Sequence, residues 1–159
     1  MGNSTLIYEE KLRHSLEESH THLKRVEDAF SELEKNYNFP LNSEQFASLL
    51  ETVQYLAFAD QIIYRFSKLQ DTMGAKLFKS FLLYQGENVD KPFLDILNRL
   101  EKMDILNVDE WFELRDIRNE IAHDYGESAN VAISILNTIY NLRGELKQIL
   151  TSCEKYIKF

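Results

Sequence analysis

The stretch Leu12-Arg13-His14-Ser15-Leu16-Glu17-Glu18-Ser19-His20-Thr21-His22-Leu23-Lys24-Arg25-Val26-Glu27-Asp28-Ala29-Phe30-Ser31-Glu32-Leu33-Glu34-Lys35-Asn36-Tyr37 decides the fold class. Leu12, Leu16, Ser19, Leu23, Val26, Phe30, Leu33 and Tyr37 recur at alternating steps of four and three. That spacing gives one α-helix a continuous inward face, whereas a strand needs a period of two. The stripe is broken once, by serine. Asn38-Phe39-Pro40 then ends the helix, since proline donates no N–H and clashes with the preceding turn.

The same reading extends along the chain. Asn42 or Ser43 caps a second helix, with Gln45 three residues after Asn42 as in a capping box. Its apolar positions are Phe46, Leu49, Leu50, Val53, Leu56, Ala57, Ile62, Ile63, Phe66 and Leu69. It runs on, or bends near Met73-Gly74, into Leu77, Phe78, Phe81 and Leu82. Tyr84-Gln85-Gly86-Glu87-Asn88 reads as a loop. Asp90 is the expected cap of a third helix, with Pro92 in its first turn and Phe93, Leu94, Ile96, Leu97 and Leu100 on its apolar face. A fourth helix opens at Asn107 or Asp109 and passes Trp111 to about Tyr125, where Gly126 is the stop. Ser128 caps the last helix, whose inward residues are Val131, Ile135, Leu136, Ile139, Leu142, Leu146, Ile149 and Leu150. No repeat or linker divides the chain. The expectation is an all-α, antiparallel up-and-down helical bundle of four main helices plus a short one, forming a single domain over 1–159.

Composition narrows the function classes. An apolar share of 44% and a charged share of 28% suit a globular chain. Cys153 is the only cysteine, which excludes an internal disulfide and a cysteine-rich zinc site and fits a reducing cytoplasm. His14, His20 and His22 read as solvated side chains of the first helix rather than metal ligands, and no metal or other cofactor is expected. No apolar run is long enough to span a bilayer. Met1-Gly2 lacks the Ser or Thr of a myristoylation signal, having Leu6 at that position. The net charge of −8 argues against non-specific coating of nucleic acid, although a local site is compatible with it.

The chemistry concentrates in Arg118-Asn119-Glu120-Ile121-Ala122-His123-Asp124-Tyr125. Arginine offers a planar fork of donors that matches a phosphate, and histidine exchanges protons near neutral pH. Together they suffice to cut RNA without a metal. The 2′-hydroxyl attacks its own phosphorus, a neutral His123 takes the hydroxyl proton, and a protonated histidine gives one to the leaving 5′-oxygen. Arg118 holds the non-bridging oxygens, and Asn119 orients His123 or bonds phosphate or sugar. On a regular helix Arg118 and His123 diverge. Either the helix unwinds near His123, or two copies pair so that both motifs line one cleft. The plain alternatives are an arginine that pairs with a carboxylate, a histidine that only caps a helix C-terminus and a tyrosine that packs at the edge of the helices. Asp60, Arg65 and Lys68 either form a salt-bridge seam, the favoured reading, or flank the site.

The eight-residue motif resembles that of HEPN-domain proteins: arginine, a polar residue, a short spacer and histidine. Tyr125, two residues past His123, extends the resemblance to the HepT-like toxins, as do the helical layout and the motif's place before a long final helix. The resemblance implies a cytoplasmic endoribonuclease toxin with Arg118, His123 and Asn119 as catalytic residues. It implies a homodimer or higher homo-oligomer whose motifs face one RNA-cutting cleft. It also implies a minimal nucleotidyltransferase antitoxin as partner, which silences the toxin by transferring AMP to Tyr125. Two other classes are consistent with the sequence: a non-catalytic HEPN accessory or substrate-binding subunit of a nucleotidyltransferase, and a purely structural interaction protein.

Overall fold

The structure, a computed structural model, describes residues 2–124 and 128–159. All regular structure among them is helical: α1 (Gly2–Glu34), α2 (Ser43–Leu50), α3 (Val53–Thr72), a π-helical turn (Met73–Leu77), α4 (Phe78–Tyr84), α5 (Phe93–Lys102), α6 (Val108–Asp124) and α7 (Ala129–Glu154). The chain is all-α. No helix among the described residues is long and apolar enough to cross a membrane.

Helix α1 is the spine. It lies against α3, the π turn, α4 and α7, while α6 rests on α3 and α7. Leu12, Leu23, Val26, Phe30 and Leu33 are buried along its inner stripe. Ser19, the break in that stripe, is fully buried, and its hydroxyl donates to the Ser15 carbonyl at 2.8 Å. A polar side chain inside the core is tolerated here because its donor is satisfied within its own helix. Phe66, Phe78, Phe81, Trp111 and Leu114 complete the core from the other helices.

Helix ends follow their caps with two corrections. Asn42 accepts from the Gln45 N–H and Gln45 accepts in return from the Asn42 N–H, so the expected capping box forms. Asn107 accepts from the Glu110 N–H at the start of α6, and Ser128 from the Val131 N–H at the start of α7. Asp90, by contrast, does not cap α5. Pro92 holds the N-cap position with extended backbone (φ −56°, ψ 149°), and the Asp90 N–H bonds Asn88 instead. The second correction is the single long helix expected from Phe46 to Leu69. The backbone turns extended at Thr52 (φ −109°, ψ 116°), splitting it into α2 and α3. The kink removes Leu50 and Val53 from the inward stripe, and both are exposed. The split lets α2 lie on α7 while α3 lies on α1 and α6.

At Met73-Gly74 the helix neither stops nor breaks; it widens into the π turn and continues into α4. Such turns insert one extra residue into a helix and rotate the next residues about its axis. Gly74 permits a close approach here, because a Cβ at that position would sit 3.2 Å from Cζ2 of Trp111 on α6. The Phe78 ring meets the same indole edge-on, with centroids 4.8 Å apart. The π turn and the middle of α6 are thereby fixed against each other.

Candidate functional site

Helix α6 carries the motif. Leu114 is buried and Ile117 and Ile121 are half-buried against the core, as their spacing predicts. Arg118 leaves the helix beside that stripe and reaches α3. Its Nε donates to Oδ1 of Asp71 at 3.1 Å and its Nη2 donates to Oδ2 at 3.2 Å. The carboxylate takes one side of the guanidinium fork, and three hydrogens, two on Nη1 and one on Nη2, remain for other acceptors. The side chains keep 29% and 47% of their surface, so the pair sits at the rim of the protein and contributes little to stability.

His123 and Asn119 are both exposed on α6, and neither side chain is hydrogen-bonded to a described residue. The α-helix stays regular through Asp124, so local unwinding does not bring Arg118 and His123 together within one copy. At 100° per residue the two side chains leave the axis about 140° apart, whereas Asn119 and His123 differ by about 40°. One copy therefore presents an Asn119–His123 face and a separate Arg118 face. Tyr125 and the Gly126 stop lie outside the described residues.

Arg118 belongs to a second constellation that the motif did not predict. Trp111, Arg115 and Arg118 follow the i, i+4, i+7 rule and share one stripe of α6. Trp111 and Arg115 line a cleft of about 400 Å³ together with Gln70, Asp71, Gly74 and Phe93. Gln70 is buried. Trp111 is 1% exposed, and its indole N–H has no acceptor among the described residues. The helical spacing of Trp111, Arg115 and Arg118 was visible in the sequence. Asp71, which is 47 residues away along the chain, left no local signal.

The histidines of α1 divide. His14 and His20 are exposed, and His20 Nε2 lies 2.7 Å from Glu154 Oε1. His22 is not the solvated side chain expected from its position; it is buried between α1 and α3. Arg65 donates from Nη1 to its Nδ1 at 3.1 Å, which places the ring proton on Nε2, facing Glu18 at 3.8 Å. Burial, reinforced by the Arg65 charge, holds the imidazole below its ordinary value. Glu18 also accepts from Thr72 and Lys76. Arg65 is thus committed to His22, and no ion pair among the described residues joins Asp60, Arg65 and Lys68 into the expected seam. Among the described residues no three His, Cys, Asp or Glu side chains gather as a metal site.

The chain matches no protein-family model, and no curated protein or solved structure is similar to it at the threshold of comparison.

Proposed function

We propose that the chain is a metal-independent endoribonuclease of the HEPN type, a HepT-like toxin that acts in the cytoplasm as a homodimer. The reading includes an antiparallel HEPN-like bundle. The observation that carries it is the exposed end of α6. There, Asn119 and His123 share one accessible face, while Arg118 is steadied by Asp71 with donors to spare. A regular helix keeps Arg118 and His123 of one copy apart, so two copies related by a two-fold axis build the site, each α6 facing the other across a groove.

In that groove a neutral His123 removes the proton of the RNA 2′-hydroxyl as the oxygen attacks phosphorus. The bond to the 5′-oxygen breaks, and that oxygen takes a proton from the protonated His123 of the second copy. Arg118 binds the non-bridging oxygens as charge develops, and Asn119 orients His123. The products end in a 2′,3′-cyclic phosphate and a 5′-hydroxyl. DNA lacks the nucleophile and is not cut. A minimal nucleotidyltransferase acts as antitoxin, with Tyr125 as its target. The other reading, a non-catalytic accessory subunit, needs no exposed histidine.

The test is inducible expression of the chain beside His123→Ala and Arg118→Ala, following growth and RNA integrity. The wild type should stop growth and fragment RNA, with fragmentation by purified protein persisting in EDTA. Removing one acid–base group should slow cutting by about 10²–10⁴-fold. Equal cutting by folded His123→Ala would remove the mechanism.

A further inference from the structure

The aromatic cleft by Asp71 has a neighbour. A second cleft, of about 510 Å³, lies between α1 and the segment from the π turn into α4. It is lined by Lys11, His14, Lys76 and Lys79, with Glu10 as the only acidic side chain in its wall among the described residues. Lys76 also touches Glu18 at 3.4 Å. Ala75, in the π turn, lines both clefts. The small residues Gly74 and Ala75 therefore form a low saddle, with cationic groups on one side and Trp111, Phe93 and Arg115 on the other.

We propose that this saddle is a track for single-stranded RNA, with the backbone on the lysine side and one base in the Trp111–Phe93 cleft. The proposal rests on the ribonuclease reading and names where its substrate lies beyond the scissile bond. Three observations carry it. The lysines concentrate positive charge locally on a chain whose net charge is −8, and single strands are bound by such grooves next to aromatic platforms. Half-buried Phe93 is the ring of the cleft that a base can reach, while Trp111, 1% exposed, closes the cleft and keeps an indole N–H without an acceptor among the described residues. Arg115 stands at the same wall and belongs to the stripe of Arg118, so the track leads to the arginine that holds the phosphate to be cut. An acidic peptide would satisfy the lysines, but Asp and Glu side chains offer no flat ring to the aromatic cleft.

Full-length protein carrying His123→Ala, which leaves RNA intact, is titrated with a fluorescein-labelled single-stranded oligoribonucleotide of about ten residues, a length within known single-strand site sizes. Lys11→Glu/Lys79→Glu on that background should weaken binding at least about tenfold and flatten the log-affinity versus log-salt slope by about 1.4, or about 0.7 for each phosphate no longer neutralised. Trp111 is the only tryptophan, so its fluorescence reports the cleft directly and should change saturably with RNA. Arg115→Ala should diminish that change. If the charge-reversed protein loses helicity by circular dichroism, Lys11→Ala/Lys79→Ala serves with the same required drop in slope. Unaltered affinity in the folded double variant, a silent Trp111 at saturation, or equal competition by polyglutamate overturns the track. If cutting still depends on His123 when the track fails, the ribonuclease reading stands. If RNA occupies the track and wild type cuts nothing, the track stands without it.

Discussion

Arg118 of α6 and Asp71 of α3 meet through a two-pronged hydrogen bond, 3.1 Å and 3.2 Å long, at the point where α3 passes into the π turn. The pair is partly exposed, so as a brace it contributes no more than about 1 kcal/mol. Its larger consequence is orientation. A free arginine samples many rotamers, whereas Asp71 fixes the plane of the fork and aims its remaining donors.

Asp71 is therefore a positioning residue for Arg118. Asp71→Ala should leave the melting temperature within a few degrees, consistent with loss of about 1 kcal/mol or less. It should lower kcat for RNA cutting more than it raises KM, while Asp71→Glu, which restores a carboxylate, should recover part of the loss. A brace alone would leave both constants unchanged.

Pairing of two copies can be read from mixed proteins. Arg118→Ala and His123→Ala are each expected to be inactive. Wild type mixed with an equal amount of His123→Ala and allowed to exchange forms dimers of which about half are mixed. The shared cleft takes its base from one copy and its acid from the other, so a mixed dimer has lost one of the two, and activity per wild-type chain should fall to about half. Light scattering on the same samples gives the mass. Activity per wild-type chain that stays unchanged despite subunit exchange, or a monomer that cuts RNA, defeats the shared cleft.

How much of the molecule was legible in the chain depends on the range of the interaction. The stripe from Leu12 to Leu33, the Asn42–Gln45 capping box and the Ser128 cap rest on contacts within a few residues, and all appear where the sequence puts them. Leu50 and Val53 fit the apolar pattern of α2 and α3, yet they face outward, because the kink at Thr52 comes from packing against different neighbours and not from local preference. Met73-Gly74 announced an irregularity but not its kind; the π turn is fixed by an indole arriving from α6. The spacing of Arg118, Asn119 and His123 along α6 was readable from the sequence. Asp71 and the burial of His22 were not, since both depend on which helices lie side by side.

His22 should make stability fall in mild acid. Its unfolded value is 6.5 and its folded value lies lower, so the native chain binds fewer protons between the two. The stabilisation is complete above 6.5 and is lost as pH drops through that window. Protonation would add charge beside Arg65 and Lys68, which the nearby Glu18, already shared with Lys76 and Thr72, offsets only in part. Urea midpoints should decline from neutral pH toward about pH 5, and His22→Gln should flatten that part of the profile. An identical slope in the variant would assign the acid sensitivity to other groups.

The final prediction concerns Tyr125. It stands seven residues after Arg118 in the sequence, the spacing at which two side chains of one regular helix share a face. AMP attached to its hydroxyl would bring a phosphate toward the arginine proposed to hold RNA and a nucleobase toward the neighbouring groove. Both the charge and the bulk oppose entry of RNA without unfolding any helix. Tyr125→Phe should keep at least part of the toxicity yet escape a co-expressed minimal nucleotidyltransferase. Intact mass after co-expression should show one or more AMP additions on wild type and none on the variant. Equal labelling of the two would move the modification to another residue. Neutralisation with no mass change would mean that the antitoxin acts by binding alone, and the switch at Tyr125 would then be wrong even though cutting by Arg118 and His123 survived.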